Sequence, residues 1–146
     1  MVKTPRPAAA VRLHGQPSSW VMLDAYLWRR DGGCIARFVN NTLWAGRWPM
    51  LQGLPDPGPC RNAAGDERSP YDRENCTREH VKDEPGMSAR AENDEDHTVI
   101  VCWGHHVFGR QWCTGSLVRA AVRLYIAAAN QRLSTERGQL STGQGG

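Results

Sequence analysis

The sequence has no stretch of about 18 consecutive apolar residues, so no membrane-spanning helix is expected. Its first residues, MVKTPRPAAAVRLHG, contain early cations but no long apolar segment of the kind a secretory signal needs. These absences point to a reducing cytoplasm. They also favour metal ligation over disulfide bonding for the five cysteines, Cys34, Cys60, Cys76, Cys102 and Cys113. No segment repeats, which leaves out solenoids, and no Cys-x-x-Cys pair occurs. With 146 residues, 40% of them hydrophobic, the chain suits one domain with a modest core that gains from a staple. The net charge of +3 is mildly favourable to a nucleic-acid partner.

Histidine, by contrast, is concentrated. Four of the five histidines, His80, His97, His105 and His106, lie between Cys76 and Arg110. Imidazole serves both as a base near neutral pH and as a metal ligand, so this density marks a site. Residues 1–18, with three prolines and an alanine run, are expected to form a loose leader, and 131–146, rich in glycine and serine, a disordered tail. The domain is expected over 19–130.

Within it, SSWVMLDAYLWRR has apolar residues at 20, 23, 27 and 28, a helical spacing, and Gly32 and Gly33 stop it. A long irregular segment then joins Cys34 to Cys60, and tying both ends to one metal ion would explain how so long a loop is tolerated. Strands are expected at 76–81 and over the β-branched run Thr98–Val101, with a charged loop between them, which makes a hairpin. WGHHVFGRQW suits a short helix. From Thr114 or Ser116 a second helix is expected, with Leu117, Ala121, Leu124 and Ala128 as its apolar stripe and Val118 and Tyr125 beside it.

Strand, loop, strand and helix, with histidines in the first strand, at the second and at the opening of the helix, resemble the HNH endonucleases. Four pieces carry the likeness: RRDGGCIA, DPGPCRN, REHV and DEDHTVIVCWGHH. The match covers roughly residues 28–128. The resemblance implies an α+β fold, a small ββα-metal core with flanking helices and a structural zinc site. It also implies hydrolysis of DNA phosphodiester bonds, with double-stranded DNA as partner, in a bacterial or phage-infected cell. Products would carry a 5′-phosphate and a 3′-hydroxyl. His80 takes the position of the family's general base, and Glu79 and His106 those of the catalytic metal ligands. Glu79 stands where the family usually has Asp, and His97 where it usually has Asn.

Phosphodiester hydrolysis needs an activated water and a metal that neutralises charge growing on the phosphate. His80, with an ordinary pKa of about 6.5, suits the first task. One carboxylate and one imidazole do not choose between Mg²⁺, Mn²⁺, Zn²⁺ and Ni²⁺. His97 would fasten the loop between the strands and orient the water. Arg110, Arg119 and Arg123 are candidates for contacts to the phosphate backbone. Cys102-Trp-Gly-His105 has a spacing that turns a sulfur and an imidazole toward one tetrahedral ion, and Cys34 and Cys60 would complete a Cys₃His zinc site. Cys76 competes for a place in that set, and buried free cysteines without metal are the alternative. A non-catalytic, zinc-stabilised nucleic-acid-binding module is the first rival to the nuclease, and a methyltransferase of the SET class, whose asparagine-containing motif GCIARFVNN faintly resembles, is the second.

Overall fold

The computed structural model describes residues 18–39, 41–81, 94–106 and 112–145. The expected leader, the interior of the charged loop at 82–93, and Arg110 lie outside the described residues. Four regular elements organise the rest: α1 (Ser18–Asp31), β1 (Cys76–His80), β2 (Thr98–Cys102) and α2 (Ser116–Gly145). The architecture is α+β, two helices and a two-stranded antiparallel sheet, with short 3-10 turns between α1 and β1 and ahead of α2.

Leu23 and Leu27, four apart and therefore on one face of α1, are buried against Ile100 of β2. Arg29 and Arg30 occupy the last turn of α1, where cations complement the helix dipole. Gly32, at φ +72°, then ends the helix in a conformation that favours glycine, its N–H donating to the Trp28 carbonyl. Gly33 follows for a different reason. A Cβ there would meet the Pro70 carbonyl oxygen at 2.5 Å, and that same oxygen accepts from the Cys34 N–H.

The strands pair in register from Cys76 opposite Cys102 to His80 opposite Thr98. All five β2 residues are buried, as the β-branched run implies. Val99 and Val101 enter the main core with Phe38, Trp48, Val122 and Tyr125, where Tyr125 meets Trp48 edge-on at 4.8 Å. A buried polar network fastens three elements together. The Arg30 guanidinium pairs with Asp31 and donates to the Thr98 and Glu95 carbonyls. Asp31 in turn accepts from the Ile100 N–H at 3.0 Å and the Tyr125 hydroxyl at 2.6 Å. One neighbouring pair of charges thus joins the end of α1 to the backbone of β2 and to α2.

Two expectations for α2 need correction. Its buried stripe is Val118, Ala121, Val122, Tyr125, Ile126 and Ala129, whereas Leu117 and Leu124 are exposed. The stripe is rotated by one residue, about 100° around the helix, because Tyr125 must turn inward to reach Asp31. The helix also continues to Gly145, past residue 131 where order is expected to end. Arg132 and Glu136, an i,i+4 pair 3.5 Å apart, continue helical side-chain pairing beyond that point. Trp103–His106 forms a turn rather than the start of a short helix, and Trp112–Thr114 is a 3-10 turn.

Candidate functional site

Four ligand-type side chains converge where the ends of the chain's irregular segments meet the hairpin. The donor atoms of Cys34, Cys60, Cys102 and His105 all lie within 4.8 Å of one another, and all four residues are buried. Each arrives on a different local structure. Cys34 follows the glycine stop of α1. Cys60 opens a tight turn closed by the Arg68 N–H on the Cys60 carbonyl and by a backbone bridge between Arg61 and Glu67. Cys102 ends β2, and the His105 and His106 N–H groups both donate back to its carbonyl, so the chain doubles over and returns His105 to the Cys102 sulfur. The two turns are packed directly together. The Gly104 N–H donates to the Arg61 carbonyl at 2.9 Å, and a Cβ on Gly104 would sit 3.1 Å from Arg61. Asn75 braces both turns, donating to the Arg61 carbonyl and accepting from the Trp103 N–H.

The imidazole of His105 is oriented from behind. Its Nε2 lies 2.8 Å from the Pro57 carbonyl and 3.1 Å from that of Gly58, and carbonyls only accept, so Nε2 carries hydrogen. Nδ1 faces the sulfurs, 3.1 Å from Cys102 Sγ and 3.5 Å from Cys34 Sγ. A tetrahedral ion with ordinary zinc–sulfur and zinc–nitrogen bonds places sulfur and nitrogen about 3.5 Å apart. Three sulfurs and one carbonyl-anchored imidazole at these separations therefore suit such an ion, and the group can hold a structural metal such as zinc.

Protons compete for the same lone pairs. Burial pushes the Cys34 thiol well above its ordinary range, and the hydrogen bond to Cys102 adds to this. Cys60 is pushed up to about 12, first by its hydrogen bond to Cys102. Cys102 is the acceptor of the set and is lowered, by hydrogen bonds from Cys34 and Cys60 and then by His105, against the opposing effect of burial. Burial works against a charged His105, but the Cys102 and Cys34 sulfurs outweigh it and raise the imidazole to about 10. A cation removes the need for these shared protons.

The remaining cysteines stand apart from the quartet. Cys76 reaches the Pro70 carbonyl with its sulfur at 3.7 Å, and burial raises its pKa to about 12. Cys113 is enclosed in the core.

A second convergence lies on the hairpin. Glu79 of β1 is buried, and its Oε1 lies 2.5 Å from Nδ1 of His106, just past the Cys102–His105 turn. His105 and His106, though adjacent, thus face different partners. The HNH resemblance implies one site for Glu79 and His106, and the structure sets these two side chains against each other. His80 lies at the end of the regular part of β1, opposite Thr98, and is exposed. Alternation along the strand turns it to the face opposite Glu79. His97 pairs through Nδ1 with Asp94 at 2.9 Å, and its carbonyl accepts from the Val81 N–H, tying the exit of β1 to the entry of β2. Asp94 is buried and also caps the turn through the Asp96 N–H. Nothing in its local sequence distinguishes it from the neighbouring acids. Arg119 and Arg123 lie half-buried on α2.

No family model, curated protein or solved structure matches this chain. Among the described residues, no helix is long and apolar enough to cross a membrane.

Proposed function

We propose that the chain is a metal-dependent endonuclease of the HNH type acting on DNA, with Glu79 and His106 as ligands of a divalent ion and His80 as the general base. The observation that carries this reading is the meeting of Glu79 and His106, from two separate segments, beside a hairpin whose far end is anchored by the Cys₃His group. A buried carboxylate against an imidazole is a donor set that Mg²⁺, Mn²⁺, Zn²⁺ or Ni²⁺ can use. When bound, such an ion supplies a Lewis acid for the phosphate.

The chain's own residues do the rest. His80, exposed at the strand end, accepts the proton of the attacking water. The water oxygen forms the new bond to phosphorus as the bond to the 3′-oxygen breaks, and that oxygen takes a proton from solvent, leaving the 5′-phosphate and 3′-hydroxyl that the family resemblance implies. His97, held by Asp94 and bound through its carbonyl to Val81, keeps the two strand ends in register so that His80 stays beside the site. The Cys₃His group, as a structural zinc site, fixes the turn that delivers His106. Arg119 and Arg123 on α2, with Arg110, supply cations for the backbone of double-stranded DNA.

A zinc-stabilised nucleic-acid-binding module without catalysis is the second reading, favoured by the placement of His80 on the strand face opposite Glu79. Supercoiled plasmid incubated with Mg²⁺, Mn²⁺, Zn²⁺ or Ni²⁺ in turn separates the two. Nicking by the wild type that is lost in His80→Ala supports the nuclease. DNA binding without nicking in any of the four metals supports the module.

A further inference from the structure

A cleft of about 200 Å³ opens between the C-terminal end of α1, the turns that follow it, and the middle of α2. It uses neither Glu79 nor His106, and its chemistry is one-sided. Five arginines line it, at positions 29, 30, 37, 47 and 132, against two acids, Asp31 and Glu136. Arg30 and Asp31 neutralise one another in the buried network. Glu136 is shared between two cations, 3.9 Å from Arg47 and 3.5 Å from Arg132. The cleft therefore keeps a surplus of three positive charges, equal to the formal net charge of the whole chain.

Arg37 is the fixed member. Its two terminal nitrogens donate to the Cys34 and Asp31 carbonyls, at 2.8 and 2.6 Å, and its guanidinium lies 4.2 Å over the Phe38 ring and 5.0 Å from that of Tyr71. Neutral carbonyls orient this charge without cancelling it, and its Nε is buried without a hydrogen-bond partner. Arg47 stands over Trp44 at 5.4 Å, so its guanidinium is likewise held by an aromatic face. Planar, oriented guanidiniums in surplus are the recognition chemistry of phosphate, which accepts several charge-assisted hydrogen bonds at once.

We propose that this cleft is a phosphate-binding site, separate from the Glu79–His106 pair, which takes a phosphate group of a nucleic-acid strand or of a small phosphate ester. Glu136 is the internal competitor for Arg47 and Arg132, so an arriving phosphate displaces it. The site does not depend on catalysis, and its test is run without added Mg²⁺ or Mn²⁺.

The experiment measures binding of a 20-base-pair duplex across a salt series, and separately binding of inorganic phosphate, by the full-length protein with its zinc content verified. Arg47→Gln/Arg132→Gln should lower the slope of log affinity against log salt by about 0.9 for each phosphate that the variant no longer neutralises. Glu136→Gln should tighten binding about fivefold, as one unit charge at about 4 Å is worth about 1 kcal/mol when fully screened by water. Glu74→Gln changes the net charge equally at an exposed residue, ahead of β1, that does not line the cleft, and should leave affinity within about 1.5-fold. Effects on the duplex identify a nucleic-acid strand as the occupant, and effects on inorganic phosphate alone identify a small ester. If Glu136→Gln and Glu74→Gln act equally, or if the double arginine variant changes neither ligand, the proposal is overturned.

Discussion

Zinc binding to the Cys34, Cys60, Cys102 and His105 group should release about three protons, and the pH dependence of that number tests whether the site is preformed. In the metal-free fold, Cys34 and Cys60 are held protonated and His105, at about 10, is also protonated, while Cys102 is the thiolate of the set. A metal that takes all four lone pairs must therefore expel the protons of Cys34, Cys60 and His105. Each proton released makes affinity rise with pH by about 1.36 kcal/mol per unit, so three amount to about 4 kcal/mol, or roughly a thousandfold weaker zinc binding for each unit the pH falls. An unfolded chain also loses about three protons at pH 7, from three thiols of pKa about 8.5, but the two cases diverge at pH 9. There the unfolded thiols are about one-quarter protonated and release about 0.7 proton in total, whereas the folded group still releases nearly three. Zinc titration in weak buffer with a pH indicator, at pH 7 and pH 9, counts them directly. A release near 0.7 at pH 9 would refute the preformed, proton-sharing site.

Other outcomes follow from single interactions. Tyr125→Phe removes the hydroxyl that donates to buried Asp31 at 2.6 Å. A hydrogen bond to a charged group contributes about 2 kcal/mol, which in a chain of this size lowers Tm by about 6 °C in calorimetry. Gly33→Ala drives a Cβ to 2.5 Å from the Pro70 carbonyl, so the Cys34 segment must shift. Its zinc affinity, read by competition with a chromophoric chelator, should fall, and an unchanged value would show that this segment adapts freely. Asn75→Ala removes the side-chain amide that donates to the Arg61 carbonyl but keeps the backbone bonds from Trp103 and Gly104, and should destabilise the fold by about 1 kcal/mol in denaturant unfolding.

Chemically distinctive residues were the easiest to read. Cysteine and histidine have few reasons to gather, and the two-residue spacing of Cys102 and His105 already demands a turn, so the convergence with Cys34 and Cys60 was legible in the chain. The hairpin was legible too, from the β-branched run at 98–101. The Arg30–Asp31 network was not. A charged pair at a helix end reads as a solvated terminus, and only the approach of β2 and Tyr125 turns it into a buried joint. The stripe of α2 could be placed on either of two adjacent phases, since Leu117, Ala121, Leu124 and Ala128 are as apolar as Val118, Val122, Tyr125 and Ala129. The tertiary packing of Tyr125 chose between them. Asp94 was equally hidden, one acid among several in a polar loop, and its value lies in the distance to His97.

Two metal positions with different duties are at stake, a closed Cys₃His group that holds the turn and the proposed Glu79–His106 pair that serves the phosphate. Manganese binding to zinc-loaded protein, followed by electron paramagnetic resonance, separates them most directly. One Mn²⁺ per chain is expected in the wild type, lost in Glu79→Ala and in His106→Ala while each variant keeps one zinc. Manganese bound equally by all three proteins, or by none, would show that the Glu79–His106 pair is not a metal site.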